Sequence, residues 1–428
     1  MALGKNQVEG PNLGGESFSA ATTMKVLWHW ISMGPYHFAR MNALAARVGL
    51  ELSVLETTSQ DDHGWLRREQ PLFSLRTISS SPSSSAVSRA AATQLSRAFV
   101  EQQPDVLIAS GYFDPFSLEP TLEYRAKNPQ TKLLLWSEST ALDRPQRRAS
   151  NAAKKLLIAQ FDGALVAGRP HRRYLEDLGM DAARIGIVGN CVDSEFFASQ
   201  TRELRVHGSP TDPKLPNHYF LYVGRMISVK NLSKLLEAYK IYAARAGQQA
   251  WGLVLVGTGP EEASLKRQTE EMALSGVYFA GLKQAADLPQ YYAKAACFLL
   301  PSVSEPWGLV VNEAMASGLP ILASNRCGCA EDLICEGENG FLFNPFDASE
   351  IADCMFRVSS TPNVARVFGE RSVSLIQEYS PEKFAERVQS HIQRIVEMPP
   401  AHQSRPVAPV QAAAARFLAK AWGHVGQR

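Results

Sequence analysis

The sequence predicts an α/β fold in which two doubly wound parallel sheets face one another across a cleft, and three observations predict it. Short apolar runs alternate with segments of helical periodicity through residues 23–200 and again through 218–395. The runs are apolar at consecutive positions, as strands covered on both faces are. Between the two series lies a polar stretch, 201–217, which holds Pro210, Pro213 and Pro216 and reads as the linker between two domains.

The elements follow in order. Residues 1–22, rich in Gly, Asn and Ser, read as a tail. A strand at 25–31 leads through Gly34-Pro35 into a helix at 38–48, where Phe38, Met41, Leu44, Ala45 and Val48 recur at helical spacing. Strands at 52–55, 105–109, 132–136, 161–166 and 185–188 alternate with helices near 87–102 and 118–128, and the serine-rich stretch 79–85 is a loop. The second series places strands at 219–223, 252–256, 277–280, 297–300 and 320–323, and helices at 232–246, 261–274, 288–295 and 309–317. A last segment, 396–428, carries Phe417, Leu418 and Trp422 at helical spacing and is expected to be helical and to return to the first domain.

Composition narrows the function classes. The 428 residues carry 44 Lys plus Arg against 42 Asp plus Glu, a net charge of +2 that argues against nucleic acid as a partner. No apolar run approaches the ~20 residues that span a bilayer, and residues 1–20 lack the apolar core of a secretory signal, so a cytoplasmic protein is expected. The six cysteines (Cys191, Cys297, Cys327, Cys329, Cys335 and Cys354) include no C-x-x-C pair and are expected to be reduced and structural.

Residues able to do chemistry gather behind three strands of the second domain. Phe220-Leu221-Tyr222-Val223 runs into Gly224-Arg225, with Lys230 at the start of the next helix. A glycine there lets a ligand approach the backbone and the two cations suit a diphosphate; a turn with solvated bases is the alternative. Val254-Leu255-Val256 ends in Gly257-x-Gly259-Pro260, and Glu262 stands where a dinucleotide fingerprint has its third glycine, which disfavours an NAD or FAD site. Glu305 lies in the loop after 297–300, and Glu313 sits on the helix that Gly308-Leu309 opens. The amides of Gly308, Leu309 and Val310 suit an anion at the positive end of the helix dipole, and each carboxylate can accept from vicinal hydroxyls. Taken singly, either acid also reads as a helix-start or surface residue. A sugar nucleotide offers the phosphates and hydroxyls that the three segments together would bind.

In this order and spacing, Gly224-Arg225 with Lys230, Gly257-x-Gly259-Pro260 and the E-x7-E element from Glu305 to Glu313 resemble the retaining glycosyltransferases of family 4, the glycosyl transferases group 1. The resemblance extends through Glu313-Ala314-Met315-Ala316-Ser317-Gly318-Leu319-Pro320 and Gly337-Glu338-Asn339-Gly340, and covers roughly residues 185 to 395. It implies the GT-B fold, two Rossmann-like domains with the acceptor bound by the first and a nucleoside diphosphate sugar by the second. It implies that Arg225 and Lys230 neutralise the departing diphosphate, that Glu305 holds the donor sugar's hydroxyls, that Glu313 binds the ribose and that Leu282 contacts the base through its backbone. It further implies retention of anomeric configuration by front-face attack, with the leaving phosphate as base. The chain has no D-x-D pair to hold a divalent ion, so neither metal nor other cofactor is expected, and cations and a helix dipole take that role.

The first domain departs from the family pattern. Many members carry a histidine after a mid-domain strand, where this chain has Ser137-Glu138-Ser139-Thr140; Glu138 is expected to replace it as a sugar or acceptor contact. His37 is expected near the same cleft, with a structural helix-start role as the alternative. Residues 144–173 hold Arg144, Arg147, Arg148, Lys154, Lys155, Arg169, Arg172 and Arg173, either a solvated face or a peripheral contact with an anionic membrane or a phosphorylated acceptor. The expectation is a hexosyl transfer to a glycan or lipid-linked hydroxyl in polysaccharide or glycoconjugate synthesis. The alternatives are a GT-B sugar-nucleotide epimerase, a phosphorylase, which the chain's length disfavours, and a non-catalytic sugar-nucleotide-binding subunit.

Overall fold

The computed structural model describes residues 23–59, 70–79, 89–112, 114–143, 148–208, 215–361 and 363–401. The first sheet comprises β1 (Met24–Trp30), β2 (Leu50–Thr58), β3 (Ser74–Ser79), β4 (Val106–Ser110), β5 (Lys132–Ser137), β6 (Gly163–Val166) and β7 (Ile185–Ile187), in the order β3-β2-β1-β4-β5-β6-β7. The second comprises β8 (Tyr219–Val223), β9 (Gly252–Val256), β10 (Val277–Gly281), β11 (Cys297–Leu300), β12 (Ile321–Ser324) and β13 (Gly340–Phe343), in the order β10-β9-β8-β11-β12-β13. Every pairing is parallel. Each strand order reverses once, between β1 and β4 and between β8 and β11. Connections there leave on opposite faces of the sheet and open a crevice at the strands' carboxyl ends.

The consecutive apolar residues of the strands serve two cores. On β1, Leu27 packs with Leu107 and Leu133 on one face, while Val26, Trp28 and Trp30 pack on the other with Met41 and Leu44 of the helix Pro35–Ala45. A third core fills the second domain around Phe220, Leu255 and Leu299.

The chain crosses between domains at places other than the proline-rich stretch. The helix Ser194–His207, at the end of the expected first domain, buries Phe197 in the second domain's core and packs on the helices Leu288–Lys294 and Leu309–Ala316. The helix Pro381–Glu397, placed by sequence in the second domain, packs on Pro35–Ala45 and buries Phe384, Val388, Ile392 and Ile395 in the first domain's core. Each such side chain contributes about 1.5–3 kcal/mol to that docking. Periodicity reveals a helix's apolar face without saying which domain covers it. The tail 1–22, residues 209–214 of the linker, Arg144, Arg147 and the segment from 402 onward lie outside the described residues.

Strand β3 was not expected from the sequence, because an edge strand with one buried position, Ile78, carries almost no apolar signal. Among the described residues no helix is long and apolar enough to cross a membrane, and the six cysteines form no disulfide.

Candidate active site

Beside the second sheet's switch point the loops after β8 and β9 are bonded to each other. Gly224 N–H donates to Val256 O at 3.0 Å, and Met226 N–H donates to Thr258 O at 2.9 Å. A Cβ on Gly257 would stand 2.0 Å from Gly224 O, and one on Gly259 would stand 2.4 Å from Met226 O. These two glycines therefore answer first to loop-against-loop packing, a reason the sequence reading did not contain. Arg225 projects from this loop and is exposed, and Leu282, just past β10, is also exposed.

Lys230 and Glu305 meet across the switch point. Lys230 closes a short 3-10 turn, Ser228–Lys230, and Asn231 follows at φ +60° with its amide donating to Pro301 O at 3.2 Å and Pro345 O at 2.7 Å. This clamps the turn to the end of β11. The Lys230 ammonium pairs with Glu305 Oε2, which also accepts from Ser302 Oγ at 3.2 Å. The Glu305 backbone is fixed in turn by Gly328 N–H, which donates to its carbonyl at 2.8 Å. Gly308 then turns the chain at φ +103°, in the left-handed region that favours glycine, and starts the helix Leu309–Ala316. The amides of Leu309 and Val310, at the start of that helix, have no intrahelical acceptor.

Glu313 is fully buried, and both its oxygens are occupied. Tyr36 of the first domain donates to Oε1, and Tyr292 of the second donates to Oε2 at 2.7 Å. Burial pushes the carboxyl up to about 7, while the two tyrosine hydrogen bonds pull it down. Burial and the neighbouring carboxylate push both tyrosine hydroxyls well above their usual range.

At the first sheet's switch point lies an open cavity of about 500 Å³ between the domains, walled by Trp30, Ser110, Trp136 and Glu138 on one side and by Ser304 and Pro306, the neighbours of Glu305, on the other. The structure thus brings Glu138 and the Glu305 loop to one space. Burial raises the Glu138 pKa and the Arg40 charge and the Asn190 amide lower it, with Asp143 and Glu305 as weaker opposing charges. His37 is not among the cavity's wall residues. Its Nδ1 accepts from Gly34 N–H at 3.0 Å and so caps the helix that begins at Pro35, the structural alternative for this residue.

The basic stretch is largely engaged within the protein. Arg169 pairs with Asp332 at 3.1 Å and Arg173 with Glu331 at 2.6 Å, both joining the domains, while Arg172 pairs with Glu176 at 2.8 Å. Lys154 is buried and donates to Tyr174 Oη at 2.7 Å. Arg148 and Lys155 are exposed. Sequence reasoning missed Tyr36, Arg40, Asn190 and Tyr292 at the site; their partners lie too far away in the chain to leave a motif.

Residues 207–375 match the family model "Glycosyl transferases group 1". The sulfoquinovosyl transferase SQD2 of Arabidopsis thaliana is 37% identical over 173 residues, 39% of this chain and 31% of that protein. An uncharacterized glycosyltransferase of Haemophilus influenzae is 32% identical over 174 residues, 40% of this chain and 48% of that protein. The matches thus span less than half the length of these relatives. Among solved structures, Anabaena HepE in complex with UDP is similar with a TM-score of 0.66 at 18% identity, covering 86% of this chain and 100% of that one. The fold is GT-B.

Proposed function

We propose that this chain, whose residues 207–375 carry a glycosyl transferases group 1 domain, moves a sugar from a nucleoside diphosphate sugar to an acceptor hydroxyl with retention and without a metal ion. The observation that supports it best is the Lys230–Glu305 pair, fixed at one sheet's switch point, with Ser304 and Pro306, the neighbours of Glu305, in the wall of the cavity at the other's. Arg225, Lys230 and the amides of Leu309 and Val310 take the charge that develops on the leaving diphosphate. Glu305, oriented by Lys230 and Ser302, holds the donor sugar's hydroxyls beside the reacting carbon. The bond from that carbon to the diphosphate oxygen breaks, the bond to the acceptor oxygen forms on the same face, and the acceptor's proton passes to the leaving phosphate. Glu313 takes the ribose once Tyr36 is displaced, and the backbone at Leu282 takes the base. Because HepE is described with UDP, uridine diphosphate sugars are the first donors to test.

A hexose is the transferred group we favour, and a glycan or lipid-linked hydroxyl is the acceptor. An epimerase or a non-catalytic subunit would act without any acceptor. The test is incubation with a panel of nucleoside diphosphate sugars in excess EDTA, with products followed by proton NMR. Nucleotide release with the donor's anomeric configuration kept in the first product supports the reading. Inversion, or turnover that appears only when a divalent ion is added, refutes it.

A further inference from the structure

Beneath the cavity, three side chains form a directed chain. Arg40 Nη1 donates to Asn190 Oδ1, and Asn190 Nδ2 donates to Glu138 Oε1. The direction is dictated by chemistry, because a guanidinium has no acceptor: it must face the amide oxygen, so the amide nitrogen must face Glu138, which must then accept. Arg40 is itself immobile. It is 1% exposed, lies 5.7–5.8 Å from the ring centres of Trp30, Trp136 and Phe384, and donates through Nε to Tyr36 O at 3.2 Å. Asn190 is anchored separately, its carbonyl accepting from Asn312 Nδ2 at 2.9 Å, one residue before Glu313.

The other charged groups of the cavity wall are already engaged. Asp143 accepts from the Thr140 amide at 2.6 Å and the Thr140 hydroxyl at 2.8 Å, and Lys154 donates to Tyr174. No hydrogen bond among the described residues occupies Glu138 Oε2. The space in front of it is bounded by two indoles, by serines, and by the Glu305 loop opposite.

We propose that Glu138 Oε2 accepts a hydrogen bond from an acceptor hydroxyl adjacent to the attacking one, that Asn190 and Arg40 position it, and that the cavity takes an uncharged polyhydroxylated ring, a sugar residue of a glycan. The proposal rests on the transferase reading. A hydroxyl donor suits a held carboxylate and a sugar's apolar face suits an indole, whereas a phosphate would meet an anion with no open cation in the wall. In the transfer Glu138 takes no proton: the new bond joins the acceptor oxygen to the anomeric carbon, the bond to the diphosphate breaks, and the attacking hydroxyl's proton leaves on the diphosphate. Arg40, Asn190, Asp143 and Glu305 are the groups that face Glu138, and of these Arg40 and Asn190 favour its anion.

The test measures nucleotide release from the nucleoside diphosphate sugar that binds, as a function of pH, with water alone, with methyl α-D-glucopyranoside and with glucose 6-phosphate. Glu138→Gln should lower release about 10- to 100-fold, the loss expected for a hydrogen bond to a charged group, with nucleotide affinity by calorimetry unchanged. Asn190→Ala should lower the rate several-fold at every pH and also move the acidic limb to higher pH, a change that a purely structural role would not produce. The glycoside should stimulate release more than the phosphosugar. Wild-type release and pH limb in Glu138→Gln, no release from a donor that binds, or equal stimulation by the phosphosugar would overturn the proposal. Failure of every nucleotide to bind the wild type would instead overturn the donor reading beneath it.

Discussion

Tyr36 and Glu313, one from each domain, are joined across the cleft by a hydrogen bond in which the tyrosine hydroxyl donates to the carboxylate. With Tyr292 on the other oxygen, two protein hydroxyls occupy the carboxylate that the proposed function gives to the ribose. Nucleotide and Tyr36 then compete for one oxygen. Tyr36→Phe should tighten nucleoside diphosphate binding by up to about tenfold, the worth of one hydrogen bond, as read by calorimetry. Weaker binding in the variant would show that Tyr36 supports the bound state.

Glu313 also sets a pH dependence. Its folded-state pKa of about 7 lies above the 4.5 of an unperturbed carboxyl, so between those values the folded protein holds a proton that the unfolded chain has released. Its contribution is complete below about 4.5 and is lost as pH rises through 7, by about 3 kcal/mol. Urea unfolding at several pH values should show that difference shrinking to nothing in Glu313→Gln.

Two buried histidines act in the opposite sense. Burial lowers the pKa of His29 and His171 from 6.5 to about 4, so the unfolded chain binds protons that the folded protein refuses between those values. Stability is whole above 6.5 and falls as the pH drops toward 4, by about 3 kcal/mol for each. His171 Nε2 bonds Pro306 O at 2.8 Å beside the Glu305 loop. His171→Gln, measured by thermal melting at acid pH, should therefore lose less stability on acidification than the wild type.

Gly257→Ala places a Cβ against Gly224 O at φ +127°. Backbone must move to relieve a contact of that kind, at a cost of about 3 kcal/mol, and the loops after β8 and β9 should separate. Chemical denaturation should show the loss, and nucleotide affinity should fall with it. Unchanged stability would mean that these loops are not packed as described.

What the sequence revealed and what it withheld divide along chain distance. Gly224-Arg225, the two glycines after β9 and the Glu305–Glu313 element are short stretches placed at strand ends and one helix start, so local spacing exposes their positions. Tyr36 and Glu313 lie 277 residues apart, Arg40 and Asn190 lie 150 apart, and Asn190 and Glu138 lie 52 apart. No window contains such pairs, and only the folded sheets bring them together. Glu138 could be singled out because it follows a strand of the switch-point sheet, but its supports could not. His37 carried two readings for a related reason: a histidine at a helix start can also serve as a cap, as this one does, and the neighbouring tyrosine is the residue that crosses the cleft. The helix Pro381–Glu397 had a legible apolar face and an illegible destination.

The central claim is that the second domain binds a nucleoside diphosphate through fixed cations. Titration calorimetry of UDP and the other nucleoside diphosphates in excess EDTA, into the wild type and into Arg225→Ala, tests it most directly. Arg225 is exposed, so its removal leaves the packing intact. The account predicts metal-free binding of at least one nucleotide, weakened about tenfold or more in the variant by loss of a charge-assisted contact. Binding that requires a divalent ion, or that is unchanged in Arg225→Ala, would contradict it.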